Sequence, residues 1–194
     1  YGLVGSEMCI RDSIYLIEAG PRLLAGMSEE SSAHAEQFLR ERGVNILLNK
    51  RVVDYRDHKV VLEDGTEIAT RTFIWVSGVT GVTIGNLDAS LIGRGGRIKV
   101  DSFNRVEGMN NVFAIGDQCI QLADENYPNG HPQLAQVAIQ QGELLAKNLI
   151  RMEKGQEMKP FHYRNLGSMA TVGRNRAVAE FSKVKMQGWF AWVM

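Results

Sequence analysis

Cysteine is nearly absent. Cys9 and Cys119 are the only two in 194 residues, and no CxxC occurs. Two thiols so placed make neither a disulfide framework nor an all-cysteine zinc site, and a reducing, cytoplasmic setting is expected. Net charge is absent too: Lys+Arg and Asp+Glu both number 22. That balance argues against a nucleic-acid protein, whose affinity comes mostly from neutralised phosphates. With 44% hydrophobic residues it also argues against disorder. No apolar run reaches the ~18–20 residues of a spanning helix, so no transmembrane helix is expected. The four histidines show no metal-ligand spacing, and no metal is expected. There is no initiator methionine, signal peptide, internal repeat or low-complexity tract. A GxGxxG phosphate loop is also missing; Gly2 and Gly5 lack its spacing. Residues 1–13 carry no helix or strand period and read as an artefact or an unrelated segment. The aromatic run Gly188–Met194 has no cap or polar tail, so an internal piece of a longer protein is expected.

Glycine is plentiful at 20 residues, and the chain alternates short apolar runs with helical patterns. Ile14–Ile17 reads as a buried strand ending at Glu18 and a Gly20-Pro21 turn. Ser28 with Glu29 and Glu30 is a helix start, and Ala35, Phe38, Leu39 and Arg42 repeat at three and four before Gly43. Val44–Leu48 is the next strand. Strand, helix, strand is the unit of a parallel sheet with crossover helices. The period then falls to two. Val52–Tyr55, Val60–Leu62, Glu67–Ala69 and Thr72–Val76 predict an antiparallel meander with a turn at Asp64-Gly65. Residues 78–96 are glycine-rich and irregular. Arg97–Val100 and Val112–Ile115 predict two strands, the second ending at Gly116-Asp117. Pro132 is placed at the start of a helix over about Gln133–Met152, with Gly155 as its stop. Leu134, Val137, Ala138, Gln141, Leu144, Leu145, Asn148 and Leu149 form one face of it, and Gln133, Gln136 and Gln140 another. Phe161–Tyr163, Met169–Val172 and Ala177–Phe181 predict further strands.

Three places carry chemistry. Glu18, at the carboxyl end of a strand, can accept hydrogen bonds from an adenosine ribose and repel a 2′-phosphate, which selects NAD over NADP; a solvated turn residue is the plainer alternative. Gly116 allows close backbone approach and Asp117 can accept from sugar or ribityl hydroxyls, against an ordinary strand end. Gln136 and Gln140 can donate to carbonyl oxygens without adding charge, against a solvated helix face. Cys119 has no nearby partner for a dithiol cycle, and His131 reads as a loop histidine. Lys183 and Lys185 before Trp189, Phe190 and Trp192 suit a membrane interface, or a core strand with a buried turn.

Asn111-Val112-Phe113-Ala114-Ile115-Gly116-Asp117 resembles the second flavin motif of flavoproteins with two dinucleotide-binding folds. Trp75-Val76-Ser77-Gly78-Val79 is similar to their crossover beside the nicotinamide site. Pro132-Gln133-Leu134-Ala135-Gln136-Val137-Ala138-Ile139-Gln140-Gln141-Gly142 resembles the quinone-site helix of type II NADH dehydrogenases, the single-subunit NADH:quinone oxidoreductases. Residues 160–163, 167–173 and 177–179 are similar to the same family. The resemblance covers about residues 14–194.

The resemblance implies an α/β, Rossmann-like flavoprotein. Residues 14–82 would be part of an NAD-binding domain with an antiparallel meander. Residues 83–152 would be the C-terminal part of an FAD-binding domain, and 153–194 the start of a membrane-associated module. NADH would give a hydride to FAD, and two electrons would pass to a membrane quinone without ion pumping. Glu18, Gly78 and Val79 would serve NAD. Gly116 and Asp117 would hold the flavin, and the helix end at Gln133, Leu134 and Ala135 would point at its ring. Gln136 and Gln140 would line the quinone site. The implied location is peripheral, on the cytoplasmic side of the inner (plasma) membrane; a homodimer is one assembly this allows. Two alternatives stay open: a related reductase acting on a disulfide or a protein electron carrier, and a fragment too incomplete for catalysis.

Overall fold

The computed structural model describes residues 13–82, 84–181 and 184–193. Cys9, Lys183 and most of the segment read as an artefact lie outside the described residues. In chain order the elements are β1 (Tyr15–Glu18), α1 (Glu29–Glu41), β2 (Asn45–Leu48), β3 (Val52–Arg56), β4 (Lys59–Leu62), β5 (Glu67–Ala69), β6 (Ile98–Val100), β7 (Cys119–Gln121), α2 (Ala135–Glu153), β8 (Ser168–Gly173), β9 (Arg176–Phe181), β10 (Val184–Gly188) and α3 (Trp189–Val193). They gather into two units. One holds the described residues up to Trp75 together with those from Leu166 on; the other holds Val76–Asn165.

In the first unit β1 and β2 pair in parallel, Tyr15 opposite Asn45 and Glu18 opposite Leu48. α1 makes the crossover between them. Ser28 is its N-cap, in extended backbone with its hydroxyl accepting from the Ser31 N–H, and Glu29 and Glu30 fill the first turn. Gly43, at φ +80°, takes the left-handed position just past the helix end. β3, β4 and β5 form the antiparallel meander, with Asp57 and His58 both at positive φ in the turn between β3 and β4. β8, β9 and β10 form a second antiparallel sheet. Phe38 of α1 packs with Met27 and Val178, and Ala177, Ala179 and Ala191 form a fully buried cluster.

Three expectations need correction here. The β1 run is not fully buried: Ile14 is 66% and Tyr15 47% exposed, because β1 has a partner on one edge alone among the described residues. Thr72–Val76 forms no strand; its backbone finds no ladder partner, and Ile74 and Val76 stand in solvent. The tail is not a core strand followed by a buried turn. It is β10 followed by the short helix α3, with Ala191 buried and Phe190 71% exposed.

In the second unit β6 and β7 pair in parallel, Ile98 opposite Cys119 and Val100 opposite Gln121. Ile98, Val100, Val106, Ala114 and Cys119 make its core. Val112–Ile115 is extended but not a strand; only Phe113 bridges to Arg105. Gly116–Gln118 then forms one 3-10 turn, and the ladder resumes at β7. The strand thus lies just past the Gly-Asp pair rather than before it. Phe161–Tyr163 also makes no ladder, although Phe161 is buried and donates its N–H to Ser102 O at 2.7 Å. α2 begins at Ala135 with Leu134 as N-cap, so Pro132 sits two residues outside the helix and not in its first turn. Gly155, at φ +68°, follows its end. Asn148 fastens the returning chain to α2 with bonds to Lys159 O (2.8 Å) and from Lys159 N (2.9 Å).

Candidate functional site

Glu18 ends β1, in the first unit. Its carboxylate folds back onto its own turn and accepts the Gly20 N–H at 2.7 Å. The Lys50 N–H bonds to the Glu18 carbonyl, which ties the turn to the end of β2. Glu18 therefore stands where the carboxyl ends of two parallel strands meet solvent, half-buried and already acting as an acceptor.

The other predicted residues lie in the second unit, around the Gly116–Gln118 turn. Gly116 adopts φ +64°, and a Cβ there would stand 3.2 Å from the Ala138 Cβ of α2. Both facts call for glycine. The turn thus packs flush against the helix. Asp117 is exposed, and its carbonyl accepts from the Gln133 Nε2 at 3.3 Å. Gly116, Asp117, Gln133 and the first turns of α2 are brought together. That helix end is polar without being compensated. Leu134 supplies no side-chain cap, and no acidic residue stands in the first turn. Its N–H groups and the positive end of its dipole favour a negative partner.

Gly78, at φ +105°, has open space where a Cβ would go, and Val79 is 61% exposed. Their segment is joined to the turn by Gln118, which the sequence reading left aside. Gln118 accepts the Val82 N–H at 2.9 Å and donates to the Val82 carbonyl at 2.6 Å. An apolar groove of about 460 Å³ opens beside the same turn, between Ile84, Leu87, Met109, Phe113 and Ile115.

Gln136 and Gln140 lie one helical turn apart, both partly exposed. Gln140 is committed to its own fold. It donates to Arg164 O at 2.9 Å and accepts from Arg164 N at 3.0 Å, a reciprocal pair that holds residues 160–165 against α2. A carboxamide has two N–H donors, and Arg164 takes one of them. A cleft of about 260 Å³ lies next to Gln140, walled by Glu143, Leu144, Lys147 and Phe161.

His131 is not an open-loop histidine. It is 2% exposed, with Nε2 2.9 Å from Asp124 Oδ2 and the rings of Tyr127, Phe161 and Tyr163 around it. That hydrogen bond holds the Asp124 carboxyl below its ordinary range. Arg97 bonds to Cys119 O (2.6 Å) and His131 O (3.1 Å), so the chain entering Pro132 is tied to the start of β7. These contacts join residues far apart in sequence, and no local pattern announces them. Cys119 is 1% exposed, and burial pushes its thiol up from the ordinary value. Buried and protonated, it is a packing residue.

Residues 2–142 match the sequence profile of the pyridine nucleotide-disulphide oxidoreductase family. The type II NADH:quinone oxidoreductase NdhA of Mycobacterium tuberculosis is 34% identical over 193 residues, covering 93% of this chain and 40% of the relative. A type II NADH:quinone oxidoreductase of Staphylococcus aureus is 32% identical over 169 residues, covering 85% of this chain and 41% of the relative. Among solved structures, NDH2 of Plasmodium falciparum in complex with NADH superposes with a TM-score of 0.81 at 18% identity, covering 97% of this chain and 56% of that one. That likeness is one of fold. The chain spans about 40% of the length of the curated relatives it matches.

Proposed function

This chain belongs to the pyridine nucleotide-disulphide oxidoreductase family, and on that premise we propose that it is part of a type II NADH:quinone oxidoreductase. The reaction is the passage of two electrons from NADH, through FAD, to a quinone, without ion pumping. One observation carries the reading. The Gly116-Asp117 turn lies flush against the uncapped N-terminus of α2, whose next turns present Gln136 and Gln140.

The residues present fit a flavin. Gly116 leaves no side chain between ligand and backbone, and the exposed Asp117 carboxylate is an acceptor suited to ribityl or ribose hydroxyls. The uncapped end of α2 offers positive potential to the polar edge of the ring, stabilising negative charge there. A bound flavin supplies the two-electron redox chemistry, and the protein supplies position and electrostatics. Glu18, at the end of β1, accepts from the adenosine ribose of NADH and repels the 2′-phosphate of NADPH. The Gly78-Val79 segment, fixed to the turn through Gln118, flanks the nicotinamide. Gln136 and Gln140 offer neutral donors to the quinone carbonyls. Dithiol chemistry finds no support, since Cys119 is buried without a second thiol beside it among the described residues.

Quinones of respiratory membranes are lipid-soluble, so the proposed enzyme works peripherally at a membrane surface, and the cytoplasmic side is the face we propose for it. No helix among the described residues is long and apolar enough to cross a membrane. The exposed Trp189, Phe190 and Trp192 suit the interface between lipid and water. The test is NADH oxidation by the complete protein that contains this chain, with and without a soluble quinone, and with NADPH as control. A yellow protein with quinone-dependent, NADH-selective turnover is expected. A yellow protein that ignores quinone and reduces a disulfide or a protein carrier would overturn the reading.

A further inference from the structure

We propose that Gln141 is the positioning residue that fixes the Gly116-Asp117 turn relative to the N-terminus of α2, and through it the geometry of the flavin site. The inference rests on the reading of that turn as a flavin contact. Alone among the three glutamines of α2, Gln141 is fully buried, at 1% exposure. Its Oε1 accepts the Gly116 N–H at 2.7 Å. Its Nε2 donates toward Cys119 Sγ at 3.6 Å, and the Cys119 thiol reaches back to Gly116 O at 3.4 Å. Both ends of the carboxamide are therefore spent on the turn and on the first residue of β7. The packing around this bond is close: Gly116 meets Ala138, and Gly142 faces Ile115 Cδ1. Gly116 has a positive φ, so the direction of its N–H is a property of the turn, and Gln141 is the side chain that holds it.

A buried amide is costly unless bonded, and an apolar side chain in its place would leave the Gly116 N–H without an acceptor. Of the three buried positions of α2, Val137 is apolar, while Asn148, like Gln141, spends its amide on the backbone of another segment. An acceptor is called for at this place because the Gly116 N–H points at it. The residue after Gly116 is Asp117, and six positions before Gln141 lies the first residue of α2. The bond thus sets the spacing between a carboxylate and a helix terminus that would act on the same ligand.

The test uses two variants of the complete flavoprotein. Gln141→Met keeps the volume and removes the acceptor. It should retain flavin roughly threefold to tenfold less tightly, the loss of about one hydrogen bond. It should also shift the visible flavin absorbance and lower kcat while KM for NADH stays unchanged. Gln141→Glu keeps an acceptor oxygen and should restore all three towards wild type. In parallel, the Gly116 amide resonance of this chain should move in the Met variant and return in the Glu variant. An unmoved Gly116 amide, an unshifted flavin spectrum, or a Glu variant no better than Met overturns the proposal. If Gln141→Met does not fold, Gly116→Ala carries the test: its Cβ would press on Ala138 and should give the same spectral shift, and a normal flavin spectrum overturns it. A wild-type complete protein without flavin would instead overturn the functional reading, with the Gly116 amide still reporting on the bond.

Discussion

At the scale of single residues, the same side-chain type has different duties a few positions apart. Glu18 ends a short strand, and Asp117 is the middle residue of a short turn. Glu18 closes its own turn, while Asp117 keeps its carboxylate in solvent and lends only its carbonyl to Gln133. Glu18→Ala should leave the Gly20 N–H without its acceptor, destabilising the turn by about 1 kcal/mol. In the complete protein it should also lower the NADH-over-NADPH preference about fivefold, the equivalent of one such interaction. Steady-state kinetics with both nucleotides measures this, and an unchanged preference would return Glu18 to a turn residue. Cys119 gives a second prediction. Its thiol is buried and pushed towards the protonated form. Iodoacetamide should leave the Cys119 peptide unmodified in native buffer and label it fully in urea, as read by mass spectrometry.

At the scale of elements, Ser28 shows how a local signal and a distant partner combine. The sequence pattern Ser-Glu-Glu identifies the start of α1, and the structure places it there. No pattern could show that Glu180 of β9 accepts from the Ser28 N–H (2.9 Å), the Ser28 hydroxyl and the Ser31 hydroxyl (2.6 Å). Those bonds, led by the Ser28 hydroxyl, hold the Glu180 carboxyl below its ordinary value of 4.5. A carboxyl depressed in the folded state stabilises above the unfolded value, and that contribution is lost as pH falls through the folded one. Wild type should therefore lose stability more steeply than Glu180→Gln below about pH 4.5, measured by urea denaturation across pH. At neutral pH the Gln variant should melt roughly 2–4 °C lower, the mark of about one hydrogen bond in a chain of this size. α1, the body of α2 and the hairpins of β3, β4 and β5 were legible because caps, turns and periods are local, whereas α3 was not. β7 was not: Gly116-Asp117 looks like the end of a strand, and only the pairing of Cys119 with Ile98 reveals the ladder beyond it. β10 stood between two readings, a membrane interface and a core strand with a buried turn, until β9 supplies the opposite edge. Thr72–Val76 has the composition of a strand and lacks a partner to make it one. At the site, the Gly116, Asp117 and α2 motifs were legible, while the bonds of Gln118, Gln140 and Gln141 depend on contacts 22 to 36 residues away in sequence.

At the scale of the whole molecule, the flavin contacts assigned to this chain are few: one exposed carboxylate, one glycine turn and one helix end. Each such contact contributes on the order of 1 kcal/mol. Ordering a free ligand costs an estimated 4–15 kcal/mol. The sum does not reach tight binding, and the chain spans about 40% of its curated relatives, which leaves most of a flavin's possible partners in the remaining length. The 194-residue chain purified alone should therefore be colourless, with no absorbance near 450 nm on the order of a bound flavin. Added FAD should bind it more weakly than the millimolar range, which already requires about 4 kcal/mol of net binding free energy. The complete protein should be yellow as isolated. Stoichiometric flavin on the chain alone would mean that the turn and the end of α2 carry most of the binding energy, and that Gln141→Met should then abolish binding rather than weaken it.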